Sequence, residues 1–177
     1  MTNILPKLVT VIDSLNEQVG WIVSWLTLGM VCITFLVVVL RYGFDTGWIA
    51  MQESVTYMHA LAFMAGAAYT LKHDAHVRVD IFYRNMAPSA QAWVNLLGAL
   101  LLLIPTCLYI LWTSASYVYT SWLLLEGSRE AGGLPLIFVL KSCIPLMSCL
   151  LTLQGLSQAS NSLLVIVDHT PDPIVKR

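Results

Sequence analysis

Residues 21–40, WIVSWLTLGMVCITFLVVVL, carry no charged side chain and end at Arg41. At about 1.5 Å of rise per helical residue such a run reaches about 30 Å, the depth of a bilayer's hydrocarbon core. Three more apolar runs follow. The turn-prone stretch 42–47 (YGFDTG) leads into a second run, which only Glu53 and His59 interrupt. A polar stretch over 72–91 precedes a long uncharged third run. The loop 126–133 precedes a fourth, broken by Lys141 alone. The chain therefore reads as an all-α integral membrane protein with four transmembrane helices at about 21–41, 48–71, 92–125 and 134–167, in one membrane domain covering 1–177.

Composition agrees. Of 177 residues 58% are hydrophobic and 11% charged, where a soluble domain carries about a quarter charged. Nine Lys and Arg against ten Asp and Glu leave a net charge of −1, which argues against nucleic acid as a partner. Cys32, Cys107, Cys143 and Cys149 all fall within apolar runs and form no CxxC pair, so they read as buried thiols rather than a disulfide framework or zinc site. The first apolar run is longer than the core of a secretory signal.

The last two runs exceed what a bilayer needs. About 34 helical residues reach about 50 Å, so tilt or extension past the lipid must absorb the excess. Trp112, Tyr117, Tyr119 and Trp122 gather where an interfacial aromatic belt would lie. Gln154, Gln158 and Asn161 mark a partly polar face in the fourth run, and Pro105 and Pro145 are expected kink points.

Orientation follows from basic residues. Lys7, Lys72, Arg78, Arg84, Lys176 and Arg177 gather on one side; Arg41 and Arg129 lie on the other, with Lys141 at its membrane edge. This places both termini and the 72–91 loop in the cytoplasm of a multi-pass membrane protein. Two segments read as interfacial. In residues 1–20, Ile4, Leu5, Leu8, Ile12, Leu15 and Val19 share a face away from Lys7, Asp13, Asn16 and Glu17, as in a helix lying on the cytoplasmic leaflet. The stretch 76–84 (HVRVDIFYR) suits either a short in-plane helix or an ordinary basic loop.

Glu53 is the costliest residue to bury in lipid. It lies about one turn inside the second run, at the depth where Arg41 ends the first, so an Arg41–Glu53 pair pinning the hairpin is the preferred reading. An ion or proton site is the rival. His59 lies near the middle of the same run; a lone histidine there is more often hydrogen-bonded structure than a haem ligand, and no second intramembrane histidine matches it. Ala62, Ala65, Gly66, Ala67 and Ala68 make this helix small enough for close packing, within the chain or with another subunit. There is no internal repeat with paired broken helices, no P-loop and no hydrolase triad, so the chain reads as a scaffold or accessory subunit and not an enzyme.

The order Arg41-Tyr42-x-Phe44, Trp48, Glu53, Gly66-Ala67-Ala68-Tyr69 and His76-Val77-Arg78-Val79-Asp80 is distinctive. Leu134-Pro135-Leu136, Lys141-Ser142-x-Ile144-Pro145-Leu146 and Leu153-Gln154-Gly155 continue it. Together these resemble the small membrane (DctQ-like) subunit of the tripartite ATP-independent periplasmic (TRAP) transporters. The resemblance implies a scaffold that supports a large membrane subunit, forms a heterodimer with it among phospholipids, and assists sodium-coupled uptake of an organic acid delivered by a periplasmic binding protein. It implies no cofactor on this chain, sodium being held by the large subunit. It also implies structural or interface roles for Arg41, Glu53, His76, Arg78 and Asp80, beside which His59, Gly66 and Lys141 stand as further candidates. His59 departs from the family pattern and has no implied role. Glu126, Arg129 and Glu130, in the short loop expected to face the periplasm, are the candidates for docking the binding protein. A haem-carrying or plain anchor of a respiratory complex and a stand-alone small carrier are the alternatives.

Overall fold

The computed structural model describes residues 4–77 and 80–168, and among them every regular element is helical. Helix α1 covers Ile4–Gly43, α2 Ile49–Lys72, the single turn α3 Asp80–Tyr83 and α4 Pro88–Leu97. A π-helical segment, Gly98–Leu103, joins α4 directly to α5, Ile104–Leu123; α6 covers Ile137–Asp168.

Three stretches are long and apolar enough to cross a membrane: Pro6–Gly43, Pro88–Leu123 and Ile137–Val167. Helix α2, with 24 residues, has the length but carries Gln52, Glu53, Ser54, Thr56, Tyr57 and His59 in its first half. The expected separate helix over 1–20 is corrected. From Ile4 onward α1 is one unbroken helix of 40 residues, about 60 Å long. The sidedness of its first turns is also mixed: of the expected apolar face, Ile12 is buried and Val19 packs against the core. Leu8, Val11 and Leu15 are exposed, whereas Asn16 is buried and Asp13 and Glu17 turn toward neighbouring helices. Polar partners on α2 and α6 compensate the burial of that face, which a lone amphipathic helix would instead give to water.

Helix α6 is the centre of the bundle. It packs against α1 and α2 on one side and against α4, the π segment and α5 on the other. Apart from Leu150 and Val165, its buried positions are small or hydrogen-bonding, including Cys143, Ser148, Gln154, Ser157, Ala159 and Ser162. Small residues let helix backbones approach closely, which drives packing where lipid removes most of the hydrophobic advantage. Val23, Ala65, Ala68 and Leu150 form one core cluster; Leu96, Ala99 and Ala159 form a second. The small residues of α2 thus serve contacts inside the chain. Gly20 is needed where α1 crosses α2, since a Cβ there would fall on the Tyr69 ring.

The expected irregularity at Pro105 takes the form of the π segment immediately before it. Proline has no N–H for the preceding turn and crowds the carbonyl four residues back, and a wider turn relieves both. Pro145 sits inside α6, which continues through it. Of the stretch 76–84, the described part contains only the single turn α3.

Candidate functional site

Two polar clusters lie near opposite ends of the bundle. The first is built around the loop between α5 and α6. Glu53, in the second turn of α2, is half-buried; one carboxylate oxygen accepts the Leu134 amide at 2.6 Å and the other accepts the Ser128 hydroxyl. The Ser128 amide donates to the Leu134 carbonyl at 3.0 Å, and the Ser128 hydroxyl accepts the Glu130 amide at 3.1 Å. The loop is therefore folded around the Glu53 carboxylate. Gly133 is required at the closest point: a Cβ would strike the Ser128 side chain and lie 2.8 Å from Glu53 Oε1.

Glu126 completes this end. Its carboxylate accepts the Ser121 hydroxyl at 2.7 Å and pairs with Lys141, in the second turn of α6. The Lys141 ammonium also lies 4.0 Å from the centroid of the Tyr117 ring, a cation–π position. Trp122 donates from Nε1 to the Ser142 hydroxyl at 2.8 Å and meets Phe138 edge-on. The end of α5 and the start of α6 are thus clamped together. The Lys141 ammonium holds the Glu126 carboxyl below its ordinary range, and the Ser121 hydroxyl adds to the effect.

The second cluster joins the first half of α1 to α2 and α6. Asp13 Oδ1 accepts Gln154 Nε2 at 3.1 Å and the Ser157 hydroxyl at 2.7 Å. Asn16 Nδ2 donates to Gln154 Oε1 at 2.6 Å. Glu17 pairs with Lys72 at the end of α2, and His73 Nε2 lies 2.9 Å from the same carboxylate oxygen. Sequence reasoning marked Gln154 as part of a polar face but found no complement for it. The signal was the unmatched pair of faces, Asp13-x-x-Asn16-Glu17 on one helix and Gln154-x-x-Ser157 on another, each needing hydrogen bonds wherever lipid excludes water.

The structure corrects the expected Arg41–Glu53 pair. Both Glu53 oxygens belong to the 126–134 loop, and Arg41 is exposed at the end of α1 with no ion-pair partner among the described residues. Two neutral donors satisfy the carboxylate without a counter-charge, and they come from a loop far away in sequence. Lys141, expected at the membrane edge, is held by Glu126. In the loop itself, Glu126 turns inward while Arg129 and Glu130 are exposed. His59 is exposed on α2 and stacks on Phe63; Gly66 faces Val23 of α1; His76 is exposed in the turn after α2. Arg78 and the side chain of Asp80 lie outside the described residues. No three His, Cys, Asp or Glu side chains gather among the described residues as metal ligands would.

A bundle of long apolar helices, tied together by polar clusters at two depths, defines a multi-pass helical membrane protein. A model of the family described as "Tripartite ATP-independent periplasmic transporters, DctQ component" matches residues 30–164, and the chain belongs to that family. It is thus a transporter component and not an enzyme, as its residues suggested. A protein of Haemophilus influenzae assigned as a TRAP transporter small permease protein is 30% identical over 82 residues, covering 46% of this chain. The chain spans about half the length of that curated relative, at 50%. No solved structure matches the chain.

Proposed function

We propose that this chain is the small scaffold subunit of a TRAP-type secondary transporter in the bacterial inner membrane. It braces a large membrane subunit that binds sodium and an organic acid, while a periplasmic binding protein delivers the acid. In this reading α2 is a fourth span: its 24 residues reach about 36 Å, and it packs between α1 and α6. Both termini and the 72–91 loop are cytoplasmic, and the 126–133 loop faces the periplasm, where the exposed Arg129 and Glu130 are available to the binding protein. Glu126 supports that contact indirectly, by holding the loop to Lys141.

The observation that carries the proposal, beside family membership, is the use made of the polar groups between the helices. Asp13, Asn16, Glu17, Glu53, Glu126, Lys141 and Gln154 are each spent on tying one helix or loop to another. Such groups stiffen a bundle, which suits a static brace. Reconstitution tests this. Sodium-driven uptake in proteoliposomes is expected to require this chain together with its large partner and binding protein. Uptake by this chain alone would overturn the proposal.

A further inference from the structure

Over residues 21–40 the outer surface of α1 is mostly apolar: Trp21, Trp25, Leu28, Val31 and Phe35 are exposed, alongside the small side chains of Ser24, Thr27 and Thr34. The outer surface of α2 is different. Gln52, Thr56, His59 and Phe63, spaced by four, three and four residues, fall on one line of the helix, and all four are exposed. Ala65 and Ala68 mark the opposite side, at 2% and 0% exposure, so this line points directly away from the bundle. It runs about 16 Å along the axis, through the first half and middle of the helix. The side chains of Gln52, Thr56 and His59 have no hydrogen-bond partner among the described residues. An amide, a hydroxyl and an imidazole turned toward hydrocarbon would each lose the hydrogen bonds water gave them.

The line is continuous with a groove at the α1–α2 turn. Arg41, Asp45, Thr46, Gly47, Ile49 and Gln52 line an open depression of about 370 Å³ there, and Gln52 belongs to both features. A charged groove at the helix end that runs into a polar stripe along the span matches a protein helix carrying polar side chains, not acyl chains. We propose that Gln52, Thr56, His59 and Phe63 form the face that grips a transmembrane helix of the transporter's large subunit. The partner supplies hydrogen-bonding groups opposite Gln52 and His59. This rests on the functional reading above, which provides the large subunit. It assigns His59 a role that neither the family resemblance nor the internal packing explains.

The test is recovery of the large subunit with this chain from membranes in which both are expressed. Replacing Gln52→Leu, Thr56→Val and His59→Leu together makes the stripe lipid-like and touches no inward contact, so insertion and helicity are expected to be retained. Recovery of the large subunit is expected to fall by at least about tenfold, given interhelical polar contacts of the usual strength. The matched change on α1, Trp25→Leu with Phe35→Leu, is expected to leave recovery within about twofold, since lipid-facing apolar swaps alter no polar contact. For a second readout, His59→Cys in a chain with Cys32→Ala and Cys149→Ala is expected to cross-link to the large subunit. A cross-linked dimer of this chain instead, or labelling by lipid-borne reagents alone, overturns the proposal. So does undiminished recovery with the triple variant, which leaves the functional reading standing. A native chain that recovers no large subunit overturns both.

Discussion

The two polar clusters solve the same problem by different means. At the 126–134 end, carboxylates are met by one backbone amide, two hydroxyls and one lysine, all from a loop and the helix ends that flank it. At the other end, Asp13, Asn16, Gln154 and Ser157 interlock side chain to side chain across a gap of well over a hundred residues, with Asn16 at 1% exposure. The first arrangement positions a loop; the second holds α1 against α6. The lesson is that removing a loop clamp frees a segment, whereas removing a buried side-chain tie leaves polar groups stranded between helices.

The largest expected effect is therefore at Gln154. Gln154→Leu strands the buried Asn16 amide and leaves Asp13 with Ser157 alone, and is expected to cost about 2 kcal/mol, from one orphaned buried group at about 1–3 kcal/mol. Thermal unfolding in detergent measures it, and a midpoint equal to the native one would erase the distinction between the clusters. Next is Glu53→Ala, which frees Ser128 and Leu134 together. Hydrogen exchange at the Leu134 amide is expected to accelerate sharply while α6 keeps its protection. Gly133→Ala is expected to produce a weaker version of the same change, because the added methyl meets Ser128.

A pH titration separates the ends further. A carboxyl whose folded pKa is depressed contributes stability above its ordinary value and loses it as pH falls through the folded value. The Glu126 clamp is therefore expected to stay intact from neutral pH down to the ordinary 4.5 and to fail only below it. In Lys141→Met the failure is expected to move upward toward 4.5, read by exchange in the 126–134 loop. The smallest effect is at Glu17, about half exposed in its pair with Lys72; Glu17→Gln is expected to cost less than about 1 kcal/mol and to be masked by salt.

Much of this architecture is legible along the chain because it depends on local properties. The uncharged run 21–40, the aromatic residues late in α5 and the small residues of α2 each report on their surroundings directly. The disturbance at Pro105 is equally local, since it follows from a missing N–H. The partners of polar residues are not local. Glu53 lay near Arg41 in sequence and depth, yet its ligands are 75 and 81 residues away. Lys141 and Glu126, 15 residues apart and flanking one turn, could have been matched from spacing alone.

Residues 4–20 show the same boundary most sharply. Read alone, their alternation suggests a helix with its apolar side in the leaflet and its polar side in water, because water is the default partner for Asp13, Asn16 and Glu17. Once α6 supplies Gln154 and Ser157 and the end of α2 supplies Lys72 and His73, those side chains find partners inside the bundle, and the helix turns Leu8 and Leu15 outward. Sequence by itself determined that helices form, how long their apolar stretches run, and that the chain belongs in a membrane, since hydrocarbon selects on composition and length. Which face of each helix looks inward was decided only by tertiary structure, because a buried hydrogen bond needs its partner at a fixed place in space, and distance along the chain does not specify that place.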